Sequence, residues 1–344
     1  MKMAEGVRVL DDYYLAITLL VTVAYQLFFF SIAFTFKLDK LTDFAGGTNF
    51  VVLAILTLAL SRSPDARQMA ASVFIVAWGL RLSLFLLYRV LRTGKDDRFD
   101  DKRDRFLPFL GFWVFQMLWV WAVSLPVTVL NSPAVRRYAP QAAFGTGRDV
   151  AGVVLFGVGF VLESVSDVQR FVFRSKNDRS AVCDAGFFGW SRHPNYFGEI
   201  IIQFSIYMIS VSAAADGPVG GQAFKALYAT MVGPFFLTIL LMFVSGLPLS
   251  ERPGAKKRYE NGSNWEAYRQ YLNRTSILIP FPPQIYERLP TFLKRTIFLE
   301  FPMYTFDPAK HADAAKDTQA ADEGHHESST GDDRQSREPL RDVV

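Results

Sequence analysis

An arginine, a histidine and a glutamate stand where a membrane segment begins. In residues 186–200, GFFGWSRHPNYFGEI, the polar run Ser191-Arg192-His193-Pro194-Asn195 leads at once into the apolar IIQFSIYMIS. Pro194 suits the first turn of a helix, which puts Ser191 or His193 near the cap. Asn195 and Glu199 then stack one turn apart, Gln203 lies a turn deeper, and Tyr196 flanks them. Such a strip offers hydrogen-bonding groups at a helix mouth. A glutamate buried there needs a donor, which a sugar hydroxyl or a carboxamide could supply. The plain alternative is a network closed on Arg192.

A second stretch, LESVSDVQRFVFRSKNDRS, places Glu163, Asp167, Arg170 and Arg174 on one stripe of a helix, with Val165, Val168 and Val172 turned away. Two acids can accept from amides and hydroxyls, and two arginines can clamp phosphate in a forked geometry. Pairing within the helix would be the structural reading. A third stretch, GLRLSLFLLYRVLRTGKDDRFDDKRDRF, carries Arg81 inside an apolar run, two turns before Tyr88 and Arg89. An arginine there should point into a bundle. The charge run that follows reads as a solvated loop. Near the end, Lys256, Lys257, Arg258 and Tyr259 precede Trp265, Tyr268, Tyr271 and Leu272, which suggest a short interfacial helix.

These residues need long apolar elements to hold them. Half of the 344 residues are hydrophobic and 15% are aromatic. Apolar runs over 14–36, 73–88, 106–130, 150–165, 200–215 and 226–247, with a shorter one over 50–60, reach or approach the ~20 residues a bilayer core requires. The expected fold is all-α, a polytopic membrane bundle of about seven transmembrane helices with a short C-terminal interfacial helix. The first run is too long for a signal-peptide core and is read as a retained span. We divide the chain into N-terminal spans (1–72), a membrane domain (73–285), an interfacial segment (286–306) and a polar tail (307–344). The tail has almost no large apolar residues and is expected to be disordered; His311, His325 and His326 within it read as solvated. Cys183, the one cysteine, excludes an intramolecular disulfide and a cysteine metal cluster. Gly145, Gly147, Gly152, Gly157 and Gly159 are read as helix-packing glycines. No Rossmann fingerprint, P-loop, H-E-x-x-H or G-x-S-x-G motif occurs, so any nucleotide must be held by helices and loops.

Charge sets the expected orientation. With seven spans, the loops that carry Lys37 and Lys40, the cluster from Arg89 to Arg105, and Arg170 to Arg192 share a side with the C-terminus. The opposite side has Arg62, Arg67, Arg136, Arg137, Arg148 and Lys225. The richer side is read as cytosolic, so the basic elements converge on one face.

SRHPNYFGE, with ESVSDVQ before it and SGLPL…Y…TSILIPFPP after it, resembles the DUF1295 group, relatives of the steroid 5-alpha-reductase C-terminal domain and of sterol C14-reductases. WGLRLSLFLLYR, FQMLWVWAVSLPVTVLN and VGPFFLTILLMFVSG are similar to that group too, so the resemblance covers about residues 74–283. The RHPNY core also resembles isoprenylcysteine carboxyl methyltransferases. The resemblance implies an NADPH-dependent reductase of a carbon–carbon double bond in a lipophilic substrate. By it, Glu163, Asp167 and Arg174 match a cofactor-contacting Asn-x-x-x-Asp pair and the arginine seven residues on. Asn195 and Glu199 match the Asn and Glu of NFLGE, and Arg258 and Tyr259 match a late basic residue and tyrosine. Arg170, Arg192, His193, Tyr196 and Tyr268 are expected to complete the NADPH site. The chain departs from that pattern where Glu163 replaces the common Asn; on the substrate side Arg81 stands where the steroid reductases keep a polarising Tyr, and that Tyr's glutamate partner has no match in residues 1–70. Arg81 and Tyr88 are therefore the expected catalytic pair.

The alternatives are an S-adenosylmethionine-dependent methyltransferase, against which Glu251 stands without a second glutamate beside it, and a non-catalytic sterol- or lipid-binding protein. Expected partners are the bilayer and a lipophilic small molecule, with no nucleic acid and no metal. The endoplasmic reticulum, with a cytosolic C-terminus, is the expected location.

Overall fold

The computed structural model describes residues 6–38, 40–93, 104–138, 140–178, 180–262 and 264–311. The charged loop at 94–103 and the tail beyond 311, with His325 and His326, lie outside the described residues. Among the described residues seven helical stretches are long and apolar enough to cross a membrane, and the fold is an all-α polytopic bundle. The first four spans are α1 (Leu15–Phe36), α2 (Leu41–Leu60), α3 (Ala66–Thr93) and α4 (Phe106–Leu130), the last ending in the single turn α5 (Pro133–Arg136). Then come α6 (Gly147–Lys176) and α7 (Pro194–Ala215).

The last span is broken. It runs through α8 (Gly221–Ala229), α9 (Val232–Ile239), a π turn (Leu240–Val244) and α10 (Leu247–Glu260). The amide of Ser245 reaches back to the Leu240 carbonyl at 2.9 Å, the i→i+5 bond that defines such a turn. The expected interfacial helix is α11 (Trp265–Arg274). Short turns α12 (Pro283–Tyr286) and α13 (Thr291–Thr296) follow, and the chain from Pro282 to Phe306 crosses the ends of α7 and α10 as a strap.

Several boundaries exceed the apolar runs. α2 begins at Leu41 because Gly46, Gly47 and Asn49 are buried packing positions, a role that hydropathy does not register. Gly47 faces Gly79 of α3, where an added Cβ would stand 3.0 Å from the Gly47 carbonyl oxygen. α6 begins with a capping box: Thr146 Oγ1 accepts from the Asp149 amide, and Asp149 Oδ2 accepts from the Thr146 amide at 3.1 Å. Of the glycines expected to pack helices, Gly152 and Gly159 do so against α7. A Cβ on Gly145, Gly147 or Gly157 would meet nothing within 4 Å, which corrects that expectation for those three.

The main core joins α2, α3, α4, α6, α7 and α9 around Phe50, Trp78, Val127, Phe156, Ile202 and Leu237. At one end of the bundle Arg67 of α3, 1% exposed, forks onto Asp149 of α6 at 2.9 and 2.8 Å. At the other end the same two helices are joined by Arg81.

Candidate functional site

Gly198 sets the site. A Cβ there would stand 2.8 Å from both the Glu163 amide nitrogen and the Gly159 carbonyl oxygen, so α6 and α7 touch backbone to backbone. That contact brings Asn195 and Glu199 alongside the acids of α6. Asn195 Nδ2 donates to Asp167 Oδ1 at 3.3 Å. Arg81 arrives from α3, donating through Nη1 to Glu163 Oε1 and through Nη2 to Asp167 Oδ2, each at 2.5 Å. Trp78 lies one turn earlier on α3, and its Nε1 donates to Glu163 Oε2 at 3.1 Å. Both oxygens of the buried Glu163 are therefore met.

Glu199 is not. It lies half-buried in the field of Asp167 and Arg81, yet neither oxygen receives a hydrogen bond among the described residues. Asn195 Oδ1 and Gln203 Nε2 are buried and also without partners. One guanidinium thus pairs with two carboxylates and leaves a third unmet, and the strip on α7 keeps unused hydrogen-bonding capacity. Unpaired polar groups in a low-dielectric interior are costly, so this strip is where a polar ligand would be accommodated.

Arginines gather at the end of α6. Arg174 Nη1 donates to the Ala181 carbonyl at 3.2 Å. Arg258 of α10 donates to the carbonyls of Ser180 and Ala181 at 2.5 and 3.1 Å, with its guanidinium 4.5 Å from the Tyr268 ring centre. Arg170 lies 5.8 Å from the Phe188 ring centre. Arg174 lies in the field of both Arg170 and Arg258, and among the described residues neither Arg170 nor Arg258 has a carboxylate within ion-pair distance. Cys183 sits among them, half-buried; burial raises its thiol against the downward pull of Arg170 and Arg174. Burial likewise raises the Tyr268 phenol.

A third group pairs its charges within the protein, although Arg192 Nε and His193 Nδ1 stay buried without partners. Arg192, 6% exposed, pairs with Glu251 of α10 at 2.5 Å and with Glu300 of the strap. Tyr286 donates to the other Glu300 oxygen at 2.5 Å. Burial alone would lower the Arg192 guanidinium, but Glu251 and Glu300 raise it above its ordinary value. His193 Nε2 meets the second Glu251 oxygen at 2.7 Å, and its ring stacks on Tyr196 with centres 4.9 Å apart. Burial pulls the imidazole below its ordinary value, against the upward pull of Glu251. His193 is the N-cap of α7. The segment before it is tied down by the Ser191 hydroxyl on the Leu278 carbonyl at 2.7 Å and the Arg192 amide on the Ser276 carbonyl at 2.8 Å.

The residues expected to form one site therefore fall into three neighbouring groups. Arg81, Glu163, Asp167, Asn195 and Glu199 form the first; Arg170, Arg174, Arg258 and Tyr268 the second; Arg192 and His193 the third, committed to protein carboxylates. Arg170 lies in the field of His193 and Glu251, which links the second group to the third. Two residues stand apart. Tyr259 packs on Trp265 and Phe306. Tyr88 is 48% exposed, with its ring on Phe171 and Arg92 over it, so it is not beside Arg81 in the acid group. Trp78, Tyr286 and Glu300 were not foreseen. Trp78 was findable, being three residues before Arg81 on one helix face. Glu300 was not, because 108 residues separate it from Arg192.

Set against family models, residues 29–275 match the one described as "Protein of unknown function (DUF1295)". The chain belongs to the DUF1295 family. No curated protein and no solved structure matches it. The DUF1295 stretch holds the first two groups entire, together with Arg192, His193 and Glu251, whereas Tyr286 and Glu300 lie beyond it.

Proposed function

We propose that this DUF1295 protein is an NADPH-dependent reductase of a carbon–carbon double bond in a lipophilic substrate, with the cofactor held along the edges of α6 and α7. The observation that carries this reading is the polarity of one helix edge. Hydrogen-bonding acids lie deep, at Glu163 and Asp167, and arginines lie at the mouth, at Arg170 and Arg174. Glu163 and Arg174 are ~16 Å apart along the axis at 1.5 Å per residue. A dinucleotide has the same polarity, with amide and hydroxyl donors at one end and phosphates at the other. The unused oxygens of Glu199 and Asn195 fit the first, and the arginines with Arg258 fit the second.

When bound, the nicotinamide supplies the reducing equivalent. The chain's own residues do the rest. Arg170, Arg174 and Arg258 neutralise phosphate charge, and a 2′-phosphate there favours NADPH over NADH. Asn195 and Glu199 fix the hydroxyl and amide groups. Arg81, clamped by two acids, uses two of its five N–H donors on them and presents a fixed positive charge that stabilises negative charge developing on a substrate oxygen. Tyr88 is placed in no step. The likeness to steroid 5-alpha-reductases belongs to this proposal, as do the endoplasmic reticulum and the cytosolic side for the arginine end, where cofactor would enter while substrate arrives from the bilayer.

The test is unfolding of the purified protein with NADPH, NADH or S-adenosylmethionine. A ligand at a hundred times its Kd stabilises by about 2.7 kcal/mol. NADPH is expected to raise the midpoint more than NADH does, and Arg174→Ala to erase the difference. Protection by S-adenosylmethionine alone would establish the methyltransferase reading instead, and protection by none of the three a non-catalytic role.

A further inference from the structure

The far end of the bundle holds an arginine that nothing answers. Arg136, the last residue of α5, is 6% exposed. Among the described residues it makes no side-chain hydrogen bond and has no carboxylate within ion-pair distance; its Nε is buried without a partner. Its neighbour Arg137 shows the ordinary solution, 59% exposed and paired with Asp12 at 3.0 Å.

The turn that carries Arg136 is held in place by the protein. Ala134 and Val135 seat α5 in the main core with Val219 and Ala223. The Ala134 amide is fixed on the Asp12 carbonyl at 3.0 Å and the Arg136 amide on the Ser132 carbonyl at 3.1 Å. Nor can a nearby acid be recruited. Asp149 is engaged by Arg67, Asp216 by Arg148, and Asp12 by Arg8 and Arg137. Asp11 accepts from the amides that open α1, and Asp65 from the amides of Arg67 and Gln68. A guanidinium that reaches the surface only at its tip, with no counter-charge, is held at a cost that an anion offsets.

Two further polar atoms are left over on the same stretch of chain. Ser132, one turn earlier and fully buried, has an unpartnered hydroxyl. Gln141 folds back so that its Nε2 donates to the Val135 carbonyl at 3.3 Å, leaving its Oε1 buried and unmatched. A guanidinium fork with a hydroxyl beside it is a donor set for phosphate oxygens. The place is the terminus of the fourth span, and Tyr13 and Tyr138 pack at this level, as tyrosines do at the headgroup layer.

We propose that Arg136 and Ser132 form a phosphate-binding site at the end of the bundle remote from the arginines of α6. The site is independent of the cofactor reading. The phosphate can come from a phospholipid headgroup or be free in solution, and the experiment separates the two. Full-length protein stripped of lipid in neutral detergent is titrated with phosphatidylglycerol, with phosphatidylcholine or with inorganic phosphate, and unfolding midpoint and retained lipid are recorded. Removing the unanswered charge by Arg136→Met is expected to raise the midpoint of the stripped protein. Phosphatidylglycerol is expected to raise the wild type but not the variant, with binding weakened at least tenfold. Arg137→Gln should leave binding unchanged. Ser132→Ala should weaken it a few-fold and serves as the reading if Arg136→Met does not fold. Protection by inorganic phosphate at millimolar concentration without lipid would assign the site to the free anion. Equal response of wild type, Arg136→Met and Ser132→Ala to every probe would overturn the proposal.

Discussion

α3 and α6 are joined by an arginine at each end, and the two joints differ. At the Arg67 joint charge and hydrogen bonds close. One guanidinium meets one carboxylate twice and reaches the carbonyls of Ala142 and Ala143, while Asp149 also receives the amides of Gly145 and Thr146. At the Arg81 joint one guanidinium serves Glu163 and Asp167, with Glu199 beside them unmet. Both joints use the same chemistry. The closed one fixes a helix pair, and the open one has capacity left for something that is not protein.

The comparison can be broken most directly at the closed joint. Asp149→Asn leaves Arg67 buried against half a partner and is expected to cost about 3–5 kcal/mol. Denaturant unfolding should show that loss while NADPH protection per unit of ligand stays unchanged; a loss of under 1 kcal/mol would place Arg67 among dispensable pairs. At the open joint, Gly198→Val forces a side chain against two backbone atoms that cannot yield. It should cost about 1–3 kcal/mol and also abolish NADPH protection, since the strip on α7 moves with its helix.

The third group predicts a pH effect. Burial holds the folded His193 below the ordinary imidazole value of about 6.5, so as pH falls the unfolded chain takes up the proton first. Stability from this group is complete above about pH 6.5 and declines below it, by at most about 1.4 kcal/mol per pH unit for one proton. Unfolding measured from pH 7.5 to 5.5 should show the decline in the wild type and a flatter profile in His193→Gln. The smallest effect on stability is expected at Glu199→Gln, within about 0.5 kcal/mol, because no protein hydrogen bond is lost. The same change should remove most of the NADPH protection. Stability lost together with protection would make Glu199 a structural residue and erase the contrast between the joints.

How far the sequence carried can be judged from particular residues. The stripe of Glu163, Asp167, Arg170 and Arg174 was legible because a helix repeats every 3.6 residues, and an arginine inside an apolar run had to face inward, as Arg81 does. The place of Pro194 at the start of α7 followed from its fixed φ and missing donor. The polar opening of α2 was not legible: Gly46, Gly47 and Asn49 look like a loop until α3 and α4 are laid against them. Nor was the break in the last span, where a π turn leaves no compositional mark. Glu300 was invisible for another reason. A carboxylate's partner is set by where the chain returns, and nothing local to either residue records that.

The strap therefore bears on what counts as the working unit of this chain. A fragment cut at residue 275, where the family match ends, would keep every helix long enough to span a bilayer yet strip Arg192 of one of its two counter-charges and of the tyrosine behind it. Expressing the chain only as far as that residue would yield a bundle whose signature motif is loosened at its first residues.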